Sequence, residues 1–483
     1  MSAKGIDLNT EQTGHPTAAG AETSPDLVRR LGLSSAILIV LGSIIGSGIF
    51  LTPQSIAATV QVPGLMILVW VVSGLLTLAG ALTNAEIAAE ITATGGQYVY
   101  FRVLYRDWMA FFYGWTSFIV YQTGSIAAIA VAFARYLEYF IALPHLNPAL
   151  ESWKLPFVGN ITPFADFGVK IVAIAAIMFL AGVNYFGVQF GALTQNIFTA
   201  LKVAGIAGII VVAFVSGEGS IDNFFPLWGE PASGHLLPAL GVAMIAALWC
   251  YDGWNNLTYL AGEIKEPQKN IPRALVLGTL LTILIYMLTN FAYLYVLPIG
   301  DIAKSNLVAA EGMTKVLGPI GGAFIALVVM VSTFGIVNTT TLTTARLYYA
   351  MAKDKLFFAN FADVHAKYRT PGKALLMQGL WSSLLTFSGT YDQLFTYVIF
   401  AGWIFYALGG IGIFIMRKKF PRTQRPYRVP GYPVVPVLFI IVATWFVINT
   451  LVEQTADSLV GVLLIFAGLP FYLYWKRQVQ ASV

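Results

Sequence analysis

The sequence predicts an all-α membrane protein with 12 transmembrane helices. Two bulk observations support this class: 57% of the 483 residues are hydrophobic, and only 11% are charged. A third is that the apolar residues fall into long runs, whereas a soluble domain mixes them with polar residues. The sequence is therefore that of an integral membrane protein.

Twelve apolar runs are each long enough to cross a hydrocarbon core of ~30 Å as a helix. They lie near residues 34–59, 63–86, 108–140, 167–186, 194–216, 237–262, 274–298, 318–350, 374–390, 394–416, 433–451 and 457–475. Because they fill most of the chain, no soluble catalytic domain remains.

The runs predict an internal repeat. We expect a disordered cytoplasmic tail at 1–30, a first five-helix repeat at 34–216, a second at 237–416, a basic cytoplasmic loop at 417–432, and helices 11 and 12 at 433–475. An odd number of spans per block inverts the second block relative to the first. This is the inverted 5+5 repeat of LeuT-like transporters, in which broken helices 1 and 6 meet near the membrane midplane.

The basic residues predict the orientation of the chain. If the N-terminus is inside, 22 of the 28 Lys and Arg residues fall on inner segments and 5 on outer ones, and the last is Lys202 within the fifth span. Positive residues concentrate on the cytoplasmic side, so both termini should be cytoplasmic. The net charge of +5 then reflects membrane topology, and no nucleic-acid partner is expected.

Break 1 is the motif GSIIGSGIF at residues 42–50, inside the first span. Gly46, Ser47 and Gly48 weaken helical hydrogen bonding and free backbone amides. Amides at the N-terminus of a half-helix suit a carboxylate, and the Ser47 hydroxyl adds a donor. The alternative interpretation is that the glycines only let two helices pack closely.

Break 2 is the motif LWCYDGWNN at residues 248–256, inside the sixth span. Polar side chains at this depth are costly unless they face a cavity or a partner. Carbonyls freed at the end of the upstream half-helix suit an ammonium, so the two breaks together predict a site for a zwitterion. Asp252 is either a structural acid at a helix terminus or a contact for a cationic side chain, and Trp249 is either packing or a gate.

Three segments resemble the amino acid, polyamine and organocation superfamily. They are GSIIGSGIF in span one, YDGWNNLTYLAGEIKEPQKNIPRA after break 2, and FGIVNTTTLTTARLYYAMAKD in span eight. More narrowly, the chain looks like a prokaryotic relative in the L-type amino acid transporter branch, which includes the light subunits of heteromeric exchangers. The resemblance covers about residues 30–475.

The resemblance implies roles for residues at matching positions. The substrate carboxylate would meet Gly46, Ser47 and Gly48, and the amine would meet the carbonyls of Ile44, Trp249 and Asp252, with Trp249 also acting as the gate. For the substrate side chain, the pocket candidates are Tyr121, Gln122, Asn338 and Trp403.

The resemblance also implies that Lys202 stands where sodium-coupled relatives bind a sodium ion. An ammonium at this depth is expensive unless acceptors surround it. Carbonyls of break 1, together with the hydroxyls of Ser332 and Thr333, would be suitable acceptors. The sequence therefore predicts a built-in cation in place of sodium, and the alternatives are snorkelling or a structural pair.

These features predict a sodium-independent secondary transporter, an exchanger that works by alternating access, and the resemblance implies that its substrates are neutral L-α-amino acids. Proton-coupled uptake of cationic amino acids or amines stays open as the alternative. No enzyme is predicted, because the spans hold no nucleophile with a base. We expect no metal or cofactor, since all four histidines fall in predicted loops or the tail.

The cysteine content bears on protein partners. In the light subunits, a cysteine between spans three and four joins a heavy chain, but here the loop at 141–166 has none. Cys250, the only cysteine, lies within a span. The sequence thus predicts a free-standing carrier whose partners are the lipid bilayer and its amino acid substrate.

Overall fold

The computed structural model describes residues 27–154, 162–231, 234–305, 307–387, 391–421, 425–453 and 455–481. The predicted tail at 1–30 lies outside these residues except for its last four. Within the described chain the secondary structure is helical, and the one β-type contact is an isolated parallel bridge between Leu31 and Ile264.

The α-helices are numbered in chain order. They are α1 (Leu33–Ile44), α2 (Gly48–Val60), α3 (Pro63–Glu90), α4 (Gln97–Leu104), α5 (Asp107–Thr116), α6 (Gln122–Glu138), α7 (Pro148–Glu151), α8 (Phe167–Tyr185), α9 (Val188–Val215), α10 (Leu236–Cys250), α11 (Pro267–Val296), α12 (Ile299–Lys304), α13 (Val308–Leu317), α14 (Pro319–Lys353), α15 (Gly372–Leu385), α16 (Tyr391–Lys419), α17 (Val434–Glu453), α18 (Thr455–Phe466) and α19 (Leu469–Ala481). A π-helical turn at Ser117–Tyr121 joins α5 to α6, and 3₁₀ turns lie at Ile221–Phe224, Asn256–Glu263 and Ala359–Ala362.

The predicted all-α membrane class is confirmed. Within the described ranges, nine helical segments are long and apolar enough to cross a membrane: Pro63–Glu90, Asp107–Glu138, Phe167–Tyr185, Val188–Val215, Pro267–Val296, Pro319–Lys353, Phe400–Lys419, Val434–Val452 and Ser458–Gln480. Counted together, α1 and α2 form a tenth span that bends by 42°. The 15-residue α10 is apolar but shorter.

Helix α14 is central to the bundle and packs against α1, α6, α8, α9 and α15. It carries many threonines, yet those at 339–344 are buried. Several of their hydroxyls bond to carbonyls one turn back, as Thr339 does to Gly335 at 2.9 Å. Because lipid offers no partner to polar side chains, this pattern places α14 inside the protein.

The two halves of the bent first span have different neighbours. Helix α1 packs against α9, α11 and α14, whereas α2 packs against α10 and α12. The bend therefore lies where the chain passes from one set of helices to the other, beside α10 and break 2.

A buried ion pair joins the segment after break 2 to α14. Arg346 donates to the two carboxylate oxygens of Glu263 at 2.7 and 3.2 Å, and both side chains are fully buried. The Glu263 carbonyl also accepts from the amides of Arg30 and Leu31, each at 2.9 Å. The residues that lead into α1 are thus tied, through Glu263, to the segment after break 2 and to α14.

We expect Glu263→Gln to destabilise the protein by about 3–5 kcal/mol, because it leaves the Arg346 guanidinium buried without a counter-charge. The measurement is the thermal unfolding midpoint of the purified protein in detergent. Glu266→Gln is the matched control, since Glu266 pairs with Lys269 at an exposed site and should change stability by less than ~1 kcal/mol. Equal midpoints for the two variants would contradict the role of the buried pair.

Candidate functional site

Break 1 separates α1 from α2 through three residues. Helix α1 ends at Ile44, and Ile45 takes an extended backbone with φ −74° and ψ 104°. Helix α2 then begins at Gly48. Amides in the first turn of a helix have no acceptor within it, so the N–H groups of Gly48 and Ile49 are open to another acceptor.

Break 2 begins where α10 ends at Cys250. The chain turns through Gly253, whose φ of +91° disfavours any residue with a side chain. It continues as a 3₁₀ turn from Asn256 to Glu263 instead of an α-helix.

The two breaks touch each other, and glycine makes this possible. A Cβ atom on Gly253 would lie 2.5 Å from the Ser43 carbonyl oxygen. One on Gly48 would lie 2.5 Å from the Cys250 sulfur. Both approaches are too close for a larger residue, so the backbone of Gly253 lies against that of Ser43, and the backbone of Gly48 lies against the Cys250 side chain.

A small cavity of about 30 Å³ lies between the breaks. Its wall comes from both breaks and from α6 and α14. The lining residues are Ser43, Ile44, Gly46, Ser47, Gly48, Gln122, Ser125, Ile129, Trp249, Cys250, Asp252, Gly253, Asn256, Ile336 and Thr340. Every residue predicted to meet the substrate main chain is among them, and so is Gln122.

The cavity has donors on one wall and acceptors on the other. The N-terminus of α2 contributes amides and the positive end of a 13-residue helix. The C-terminus of α10 contributes carbonyls, next to the carboxylate of Asp252. This arrangement is chemically suited to a ligand that carries an anion and a cation a few ångströms apart.

Two tyrosines hold the Asp252 carboxylate. The Tyr406 hydroxyl donates to Oδ1 at 2.7 Å, and the Tyr121 hydroxyl lies 3.3 Å from each carboxylate oxygen. The two hydroxyls are themselves 2.8 Å apart. Tyr121 was predicted to line the side-chain pocket, and the structure places its hydroxyl against Asp252, which lines the cavity, whereas Tyr121 is not itself among the lining residues.

Lys202 reaches break 1 from α9. Its buried ammonium donates to the carbonyl of Ile45 at 2.6 Å and to that of Gly42 at 3.2 Å. The Ser332 hydroxyl donates to the Gly46 carbonyl at 3.1 Å. A lysine of α9 and a serine of α14 therefore satisfy carbonyls that the break leaves without helical partners.

The prediction for Thr333 differs from the structure. Its hydroxyl donates to the Val329 carbonyl of its own helix at 2.7 Å and makes no bond to Lys202 or break 1 within the described chain. Successive helical residues point about 100° apart, so Ser332 and Thr333 cannot both face the break.

Two further pocket candidates lie away from the cavity wall. Asn338 donates to the Gly191 carbonyl at 3.1 Å and accepts from Asn184 at 2.9 Å, so it joins α14 to α8 and α9. Trp403 packs against Phe446 of α17, with ring centroids 5.1 Å apart. The sequence placed both residues on suitable spans but could not show which helix face meets the cavity.

Tyr286 of α11 is a site residue that the sequence prediction missed. Its hydroxyl lies 3.1 Å from the Ile44 carbonyl oxygen and 2.9 Å from that of Cys250. It thus bridges the last residues of α1 and α10, one on each break. The available signal was a tyrosine in the middle of the apolar run TILIYML, where a hydroxyl needs a partner.

Comparison with known proteins gives consistent similarities. A family model described as amino acid permease matches residues 31–469. The chain is 32% identical over 455 residues to the b(0,+)-type amino acid transporter 1 of Mus musculus, covering 93% of this chain and 89% of that protein.

Two other relatives are similar over most of their length. The serine/threonine exchanger SteT of Bacillus subtilis (strain 168) is 32% identical over 455 residues, with 94% of this chain and 98% of that protein covered. The large neutral amino acids transporter small subunit 2 of Oryctolagus cuniculus is 29% identical over 482 residues, with 97% and 85% covered.

We expect Gly253→Ala to destabilise the protein by about 1–3 kcal/mol, because a Cβ atom disfavours the positive φ and also meets the Ser43 carbonyl. Gly182→Ala is the control, since Gly182 lies within α8 and a Cβ there would have no neighbour within 4 Å. Thermal unfolding of both variants in detergent checks this. If Gly253→Ala unfolds at the same temperature as the control, the close contact between the breaks is wrong.

Proposed function

Because this chain belongs to the amino acid permease family, we propose that it is a sodium-independent exchanger of neutral L-α-amino acids that works by alternating access across the cytoplasmic membrane. The family and the named relatives are amino acid transporters, not enzymes. One of those relatives is named an exchanger. The observation that carries the proposal is the cavity between the two breaks, with donors on one wall and acceptors on the other.

The proposed architecture has twelve spans. Ten of these spans would be the nine long helical segments and the bent pair. The other two would be α10 with its 3₁₀ continuation and the 14-residue α15. Two inverted five-helix repeats would occupy 34–216 and 237–416. The basic loop at 417–432 and helices 11 and 12 at 433–475 would follow, with both termini cytoplasmic.

The substrate carboxylate would bind the amides at Gly46, Ser47 and Gly48, with the Ser47 hydroxyl as a further donor. The ammonium would bind the carbonyls of Ile44, Trp249 and Asp252. The Ile44 carbonyl already accepts one hydrogen bond, from Tyr286, and has a second lone pair for the substrate. The Trp249 carbonyl accepts from the amides of Tyr251 and Asp252, so a substrate ammonium would share it with them.

Trp249 would act as the gate over this site. It lies at the end of α10 and lines the cavity, with 7% of its surface exposed. A large aromatic side chain in this place can cover a bound amino acid and leave when the half-helix moves.

Lys202 would replace a coupling ion. Its ammonium bonds to two carbonyls of break 1, which are the type of oxygen ligand that a sodium ion would use. The charge is part of the chain, so transport would need no sodium. Return of the empty carrier would not be driven by an ion, which favours exchange over net uptake.

We further propose that the carrier works without a disulfide-linked heavy chain. Cys250 is the only cysteine of the sequence, and 3% of its surface is exposed. Its sulfur lies 2.9 Å from the Thr52 hydroxyl in the contact between the breaks. The protein surface therefore offers no thiol that could form a disulfide with another chain.

The first test is counterflow in proteoliposomes. Uptake of labelled L-alanine or L-leucine should require unlabelled amino acid inside the vesicles and should be equal in sodium and choline buffers. Uptake of L-arginine into empty vesicles, driven by a pH gradient, would contradict exchange and favour proton-coupled transport of cationic substrates. Sodium-dependent uptake would contradict the role of Lys202.

The second test removes the fixed charge. Lys202→Met should lower exchange at least about tenfold, because charge-assisted hydrogen bonds of ~1.5–3 kcal/mol to break 1 are lost. Lys304→Met is the control, since Lys304 is exposed at the end of α12. Initial rates of counterflow, normalised to reconstituted protein, provide the measurement. Equal rates for the two variants would show that the charge at position 202 is not needed.

A further inference from the structure

A second pocket, of about 100 Å³, shares no lining residue with the cavity between the breaks. It is enclosed by the segment before α1, the turn between α8 and α9, and the loop between α14 and α15. We call it the α9 pocket, because the first residues of α9 form one of its walls. Its volume is several times that needed to hold one water molecule.

The charged residues among the described ones that line the α9 pocket are all basic: Arg30, Lys367 and Arg369. The Arg30 guanidinium donates to the side-chain oxygen of Gln189 at 3.0 Å, and the Lys367 ammonium lies 5.4 Å from the centre of the Tyr368 ring. The ion pairs within the described chain all use other basic residues. Three positive charges around one pocket, without a carboxylate in its wall, attract an anion.

The α9 pocket lies at the end of two membrane spans. Helices α8 and α9 are both long and apolar enough to cross a membrane, and Phe186 and Phe190 line the pocket where they connect. These side chains are 53% and 63% exposed. From Phe190 the exposed apolar surface continues along one face of α9 through Leu193, Ile197 and Leu201, at spacings of three and four residues. The basic pocket therefore stands at the end of an apolar strip that faces lipid.

The charge and the apolar strip together select the class of ligand. A guanidinium presents paired N–H donors that match two oxygens of a phosphate group, and an ammonium adds a point charge. A small inorganic anion would answer the charge alone, whereas a phospholipid would also cover the apolar strip with its acyl chains. Basic pockets between membrane helices are suited to anionic head groups for this reason.

We propose that the α9 pocket binds the phosphate group of an anionic phospholipid such as phosphatidylglycerol, with the acyl chains along the exposed face of α9. Arg30 lies three residues before α1, and its amide donates to the Glu263 carbonyl at 2.9 Å. A bound lipid would therefore join the segment that leads into α1 to the helix that carries Lys202. The pocket is separate from the substrate cavity, so this inference does not depend on the proposed transport function.

The experiment titrates the full-length purified protein, in neutral detergent, with dioctanoyl phosphatidylglycerol and follows the thermal unfolding midpoint. The midpoint of the unmodified protein should rise to a plateau. Each of Arg30→Gln, Lys367→Gln and Arg369→Gln should raise the half-saturating lipid concentration about fivefold, and the triple variant about 100-fold, because each removes one charge near the phosphate. The single variants keep the test valid if the triple variant is poorly folded.

The matched control removes three positive charges that lie outside the α9 pocket on exposed side chains. It combines Lys269→Gln, Lys353→Gln and Lys418→Gln. This variant has the same net charge as the triple pocket variant and should change the half-saturating concentration less than about twofold. Equal losses in the two triple variants would show general attraction to positive charge and would overturn the site.

Two other ligands separate the possible sources of the phosphate group. Inorganic phosphate, at the concentration at which the lipid saturates, should leave the midpoint unchanged, and dioctanoyl phosphatidylcholine should act only at higher concentration because its head group has no net charge. An equal response to inorganic phosphate would replace the lipid site with a site for soluble phosphates. An equal response to phosphatidylcholine would show that the acyl chains alone bind, and would overturn recognition by the three basic residues.

Discussion

The structure depends on one constraint: backbone groups released at two helix breaks must find partners inside an apolar bundle. In lipid an unpaired N–H or C=O group costs several kcal/mol, so breaks persist only where protein or a ligand completes their hydrogen bonding. Here the partners of the carbonyls come from three other helices, through Lys202 of α9, Tyr286 of α11 and Ser332 of α14. The amides of Gly48 and Ile49 in the first turn of α2 have no acceptor within their own helix, and that asymmetry makes break 1 chemically suited to an anion.

Much of this could be predicted from the sequence. The membrane class followed from composition, and the breaks were visible because Gly, Asp and Asn interrupt apolar runs. The face of each span that packs inside the bundle was harder to predict. A span that is apolar all round has no periodicity to show which face is buried. That is why Asn338 and Trp403 were misplaced on the cavity wall and why Tyr286 was missed. Their positions depend on helix packing, which a single sequence does not encode in a readable pattern.

The contacts around the breaks also suggest how substrate and conformation are coupled. The segment before α1 is tied to Glu263, and through it to Arg346 of α14, by backbone bonds and a buried ion pair. The last turn of α1 is tied to α9 through Lys202. If α1 moves, the contacts with Glu263 and with Lys202 would therefore have to break together. A substrate bound to both breaks would contact the same helix. We infer that the fixed charge of Lys202 lets an amino acid control this movement without an ion.

The most direct test of the central claim is an experimental structure of the protein with a bound L-amino acid in sodium-free buffer. The account predicts carboxylate oxygens about 3 Å from the amides of Ser47 and Gly48. It also predicts the ammonium at the carbonyls of break 2 and the Lys202 ammonium still on break 1. An amino acid bound outside the cavity, or one whose ammonium faces the start of α2, would contradict it.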